Sequence, residues 1–172
     1  NVLFSEEFPT NTYKDTDNMV LRAMEAKLKE YEGQYDAIGI STAGQVDFAN
    51  GVIHDGVGNI PNYNHSDLRG EFEPKFNVPV AVDNDVNCAA IGEAHFGAAQ
   101  GESDFLCLTY GTGVGGCIYI NGDVYRGSKY AGGEFGHMAT HKDGRLCTCG
   151  RIGCYEAYAA CRVFTTSVSE RM

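Results

Sequence analysis

"GGEFGHMATHKDGRLCTCGRIGCYE", residues 132–156, holds three cysteines within eight positions, ten residues after a histidine. His137 precedes Cys147, Cys149 and Cys154 by ten, twelve and seventeen positions. One imidazole and three thiolates complete a tetrahedral shell, the closed arrangement of structural zinc. Redox-inert zinc suits the fixing of a loop. Cys147 and Cys149 are one residue apart, unlike the common finger spacing, and His141 competes with His137 as the nitrogen ligand. The other reading is a set of unliganded surface thiols, which would be an oxidation liability.

The rest of the composition narrows the context. The chain has 172 residues, room for one ordinary domain or parts of two. Its 13 Lys+Arg against 23 Asp+Glu give a net charge of -10. A nucleic-acid partner needs a basic face, and no Lys/Arg run supplies one. No stretch has the 18 or more apolar residues of a membrane span, and there is no signal-peptide pattern, so a cytoplasmic protein is expected. Seven cysteines are an odd number for a fully disulfide-paired domain. Cys88, Cys107, Cys117 and Cys161 read as buried core thiols.

Strands alternating with helices predict an α/β fold. "NVLFSEEF" reads as a strand, and Asp17 as the N-cap of a helix over about residues 18–31, with Val20, Ala23, Met24, Leu28 and Tyr31 on one stripe broken by Lys27. "DAIGIS" is a short buried strand, followed by a strand–turn–strand at Asn50-Gly51. "VPVAVDND" is another strand, with a helix starting just after Asp85. Two strands around a glycine turn and a hairpin at Asn121-Gly122 follow.

Two further motifs carry chemistry. "YGTGVGG", residues 110–116, has four glycines between apolar strands, and its backbone N–H groups can cradle an anion such as phosphate. It reads equally as a flexible hairpin turn. "DND", residues 83–85, lies at a strand-to-helix junction, where ligands bind in α/β sheets. A carboxylate there can serve as a general base or simply cap the helix.

In this order the three motifs resemble the ROK family of sugar kinases and sugar-responsive repressors. The likeness runs from about Asp36 to Ala157, through "GISTAGQVD", "GNIPNY", "VAVDNDVNCAAIGE", "LTYGTGVGG" and "GGEFGHM…CTCGRIGCYE". It implies an actin-like ATPase (ribonuclease H-like) fold with two lobes, both partial: residues 1–101 from the small lobe and 102–172 from the large one. It implies zinc on His137, Cys147, Cys149 and Cys154. It also implies sugar contacts from Asn59, Asn84, Asp85, Glu134, His137 and Glu156, with Asp85 as catalytic base. ATP phosphate would sit on Gly111, Thr112, Gly113 and Gly115, with Mg²⁺. The activity implied is ATP-dependent phosphorylation of a hexose, glucokinase-like; the alternative is the sugar-sensing domain of a repressor. A homodimer is expected. The family's Asp-x-Gly-x-Thr-type phosphate loop and a helix-turn-helix are both missing from the chain, so it is expected to be an internal piece, inactive alone.

Overall fold

The structure, a computed structural model, describes residues 2–9, 18–55, 60–163 and 165. It divides into two compact units, residues 1–84 and 85–172.

The first unit is built on a parallel pair of strands. β1 (Ile38–Thr42) and β4 (Val80–Asn84) run in register from Ile38 opposite Val80 to Thr42 opposite Asn84. Ile38, Ile40, Val80 and Val82 are buried, as the runs of branched residues predict. Parallel strands need a crossover. Here it contains the hairpin β2 (Gln45–Asp47) and β3 (Val52–Asp55), then α2 (Leu68–Phe76). Gly51 closes the hairpin at φ +72°, the conformation its Asn-Gly pair predicts. Arg69 of α2 reinforces the turn, donating to the carbonyls of Phe48 and Ala49.

α1 (Met19–Glu30) packs Leu21, Val20, Met24 and Leu28 against this core. Its cap is Asn18, whose side chain accepts from the Leu21 N–H; the expected cap, Asp17, lies outside the described residues. Lys27 does interrupt the stripe, but its ammonium is held by Glu6 and Glu30 at 3.0 and 2.7 Å.

One expected element is absent and one unexpected element is present. Residues 2–9 form no strand, because among the described residues no neighbour supplies a ladder, and Val2 and Leu3 are left 85% and 95% exposed. α2, by contrast, appears where the sequence reading assigns no element. Gly70 and Pro74 mask its signal, and the helix stands because Asp67 caps its start and Asn77, at φ +54°, ends it. Its buried face of Leu68, Phe72 and Phe76 supplies the stability that propensity does not.

In the second unit, α3 (Asp85–Phe96) packs on an antiparallel sheet of β5 (Phe105–Tyr110), β6 (Val114–Ile120) and β7 (Asp123–Val124). The helix buries Val86, Asn87 and Ala90, and its small residues let it approach the sheet closely. Asn121 and Gly122, at φ +54° and +78°, make the predicted tight turn between β6 and β7. A short 3₁₀ turn (Phe135–His137) and α4 (Glu156–Ala159) flank the cysteine loop. No disulfide joins any of the seven cysteines. Cys117 is buried as expected and Cys88 and Cys107 are half-buried. Cys161 is exposed, which corrects its reading as a core thiol: its backbone N–H and Sγ face the carbonyls of Gly111 and Tyr110 instead of an apolar interior. Among the described residues, no helix is long and apolar enough to cross a membrane.

Phe72 is fully buried in the core of the first unit, at 1% exposure, whereas Phe96 is 88% exposed. Phe72→Ala should therefore cost about 3–5 kcal/mol. Phe96→Ala should stay within about 0.5 kcal/mol. Urea unfolding followed by circular dichroism measures both, and comparable losses would mean that the core is misplaced.

Candidate functional site

The cysteine loop is held by backbone bonds rather than by regular structure. Ala139 bridges Cys154, and Leu146 bridges Ile152, each in antiparallel fashion. Tyr155 donates to Met138, Thr140 to Gly153, and Cys147 to Arg151, all at 2.8 Å. Two glycines make this lacing possible. Gly150, at φ +83°, turns the chain after Cys149; Gly153, at φ +81°, lies so close to the His141 carbonyl that any side chain would collide with it.

The outcome is convergence. One donor atom each from His137, Cys147, Cys149 and Cys154 lies within 4.8 Å of all the others. Cys149 Sγ and Cys154 Sγ are 3.7 Å apart, as are Cys147 Sγ and His137 Nδ1. A disulfide would need about 2.05 Å. Four ligands around a tetrahedral ion, with bonds of about 2.3 Å to sulfur and 2.0 Å to nitrogen, sit about 3.5–3.8 Å from one another. The spacing thus fits a shared cation and not a covalent bridge. His141 stands apart, its ring stacked on Tyr158 at 4.2 Å and its Nδ1 paired with Thr140 Oγ1.

The thiols differ in electrostatics. The backbone N–H of Arg151, then its side chain and the neighbouring thiols, bring the Cys149 thiol down to about 6. Burial, first, and its sulfur neighbours push Cys154 up to about 11. A bound cation reverses that burial penalty, since a coordinating thiol is deprotonated outright.

Glu156 is a buried carboxylate at the first position of α4. Oε2 accepts from the Val114 N–H at 3.0 Å, and Oε1 from Thr148 Oγ1 at 3.0 Å, with the Arg162 guanidinium 3.4 Å away. Sequence reading named Glu156 but neither of its short partners. They lie 42 and 8 residues away, and no spacing rule connects them. Glu134 is exposed at the start of the 3₁₀ turn, and His137 half-buried at its end. Asp85 is exposed at the first position of α3, where Oδ1 accepts from the Val86 N–H. In the first unit, Asn84 ends β4 opposite Thr42, and its Nδ2 donates to the Gly44 carbonyl at 3.0 Å. Asn59 lies outside the described residues.

The glycines of residues 111–116 owe their identity mostly to packing. A side chain at Gly113 would strike Glu156 Oε2, one at Gly115 would strike Val86, and one at Gly116 would strike Phe135. Gly133 and Gly136 repeat the constraint from the other side, against the carbonyls of Gly116 and Val114. Only Gly111 has open space around it. The Gly111 N–H is bonded to the Gly113 carbonyl, and Gly115 sits in the β5–β6 ladder opposite Thr109. Among the described residues, the N–H groups of Thr112 and Gly113 donate to no protein acceptor, leaving these two for an anion.

This mixed α/β architecture is part of an actin-like ATPase (ribonuclease H-like) fold. The chain belongs to the ROK family, whose profile matches residues 1–172. It is 33% identical over 175 residues to a glucokinase of Streptomyces coelicolor, covering 99% of this chain and 53% of that one. It is 36% identical over 110 residues to the xylose repressor of Bacillus subtilis, covering 64% of this chain and 29% of the repressor. A solved ROK glucokinase from Streptomyces griseus, in complex with glucose and AMPPNP, superimposes with a TM-score of 0.74 at 38% identity, over 88% of this chain and 49% of that one. The chain thus spans about half the length of the curated relatives it matches in full.

The packing reading of the glycines predicts an asymmetry. Gly116→Ala must displace Phe135 or the Gly133 backbone. Its expected cost is about 1–3 kcal/mol, the range for overpacking. Gly111→Ala, in open space, should stay within about 0.5 kcal/mol. Thermal unfolding of the two variants decides the point; equal effects would mean that the glycines serve the ligand alone.

Proposed function

We propose that these residues belong to an ATP-dependent sugar kinase that phosphorylates a hexose, glucokinase-like. The carrying observation is the exposed carboxylate of Asp85, at the first turn of α3 and directly after the end of a buried strand. An exposed carboxylate there can meet a substrate hydroxyl. As that hydroxyl oxygen attacks the γ-phosphoryl group, Asp85 takes its proton as general base. The Thr112 and Gly113 N–H groups, within the turn from Gly111 to Gly115, hold phosphate oxygens, in keeping with backbone anion sites elsewhere. Bound Mg²⁺ supplies charge neutralisation for the transferring phosphoryl group.

Sugar hydroxyls fall to Asn59, Asn84, Asp85, Glu134, His137 and Glu156, as the family resemblance implies. Amides and carboxylates pair with adjacent hydroxyls and reject analogues that leave them unpaired. His137, Cys147, Cys149 and Cys154 hold a structural zinc, supported by the donor spacing. When bound, zinc contributes folding free energy to a loop whose own apolar core is small.

The similarity to a xylose repressor supports a second reading, a sugar-sensing domain that transfers nothing. Asp85 separates the two. In the full-length protein, Asp85→Asn should lower kcat by at least about a hundredfold, the lower bound for general base catalysis. Calorimetry should show sugar binding retained, since amide and carboxylate are nearly isosteric. Unchanged turnover would leave Asp85 a helix cap only, and sugar binding without any ATP-dependent turnover in the wild type would favour the repressor reading.

A further inference from the structure

Glu156 is 7% exposed, and a polar side chain so buried needs hydrogen-bond partners. Its two shortest donors come from two different loops, with the Arg162 guanidinium a longer third at 3.4 Å. Oε2 takes the Val114 N–H, at the end of the glycine turn, and Oε1 takes the Thr148 hydroxyl, between Cys147 and Cys149. Cys147 Sγ itself lies 3.9 Å from Oε1. Gly113 completes the fit, since a side chain there would collide with Oε2.

We infer that Glu156 is a positioning residue that couples the metal-binding loop to the glycine turn, so that loading of the four-ligand site shapes the phosphate-binding backbone. This rests on the zinc and nucleotide assignments proposed above. The cysteine loop buries little apolar surface: its cluster comprises Cys147, Cys154 and Ala157, with Tyr158 against them. Its order therefore depends on the shared cation. When the cation leaves, Thr148 is no longer held beside Oε1, and the carboxylate turns toward other donors. The Val114 N–H then loses its buried acceptor, and the adjacent Gly113 N–H, free for phosphate, loses its fixed direction. The coupling is reciprocal, as any linkage between two binding sites must be. The bonds to Val114, Thr148 and Arg162 use three of the roughly four lone-pair sites of a carboxylate, leaving one for a sugar hydroxyl.

Thr148 is itself neither a metal ligand, part of the glycine turn nor a proposed sugar contact, although its hydroxyl reaches Glu156 Oε1 at 3.0 Å and Cys147 Sγ at 3.9 Å. Hydrogen–deuterium exchange of the full-length protein is followed at the Val114 amide, with Cys117 in β6 as the folding control. In wild type, stripping zinc with a chelator should accelerate Val114 exchange by about tenfold, the order expected for the loss of one hydrogen bond. Thr148→Val should show the fast exchange while still holding one zinc per chain. Its KM for ATP should rise several-fold with kcat little changed, and Thr148→Ser should restore both. Unchanged Val114 exchange in zinc-loaded Thr148→Val overturns the coupling and leaves the metal assignment standing. Wild-type protein that binds no zinc overturns both. Should Thr148→Val fail the Cys117 control, the loaded-against-stripped comparison in wild type decides alone, and no difference there overturns the coupling.

Discussion

Four soft donors brought within 4.8 Å of one another are the constraint on which the second unit's site depends. The segment around them has two isolated bridges, one short 3₁₀ turn and a four-residue helix. Several of its apolar side chains face solvent, Leu146, Ile152 and Met138 among them. Such a loop has little burial to offset the entropy of being ordered. Backbone bonds can lace it, but those bonds exchange with water and yield only about 1 kcal/mol each. A cation shared by the four donors, as proposed above, would be the one large stabilising term such a loop has available.

The site then extends outward by contact. Next to the His137 and cysteine cluster stands Glu156, and next to Glu156 stands the turn between β5 and β6. That turn is pressed from one side by Val86 of α3 and from the other by Phe135 and the glycines before it. Each of these contacts requires a residue without a side chain. The glycine-rich spelling of residues 111–116 and 132–136 is therefore a record of close packing between two loops. Separately, the parallel pairing of β1 with β4 brings Thr42 and Asn84 to the carboxyl end of the first unit's sheet, and Asp85 follows as the first residue of α3.

Much of this could be read from the residues. Asn121-Gly122 spells a tight turn and makes one, with both residues at positive φ; Asn50-Gly51 marks the turn between β2 and β3, where Gly51 alone has positive φ and four residues join the strands. The alternation of Val78–Asp85 with an Ala-rich run marked a strand followed by a helix, because local pattern decides such elements. His137 and the three cysteines stood out as a group since their chemistry has few other uses. What could not be read depends on distance in the sequence. α2 is held by its caps and its three buried side chains in spite of Gly70 and Pro74. "NVLFSEEF" has a strand's composition, but a strand needs a partner, and composition does not supply one. Cys161 has a core residue's chemistry, yet its surroundings put it at the surface. The internal ties of Glu156 join positions that no periodicity connects.

X-ray absorption at the zinc edge of the purified protein addresses the central claim most directly. Closure by His137, Cys147, Cys149 and Cys154 predicts three sulfur neighbours at about 2.3 Å and one nitrogen at about 2.0 Å. A shell dominated by oxygen, a fourth position held by water, or protein that carries no zinc at all would contradict it.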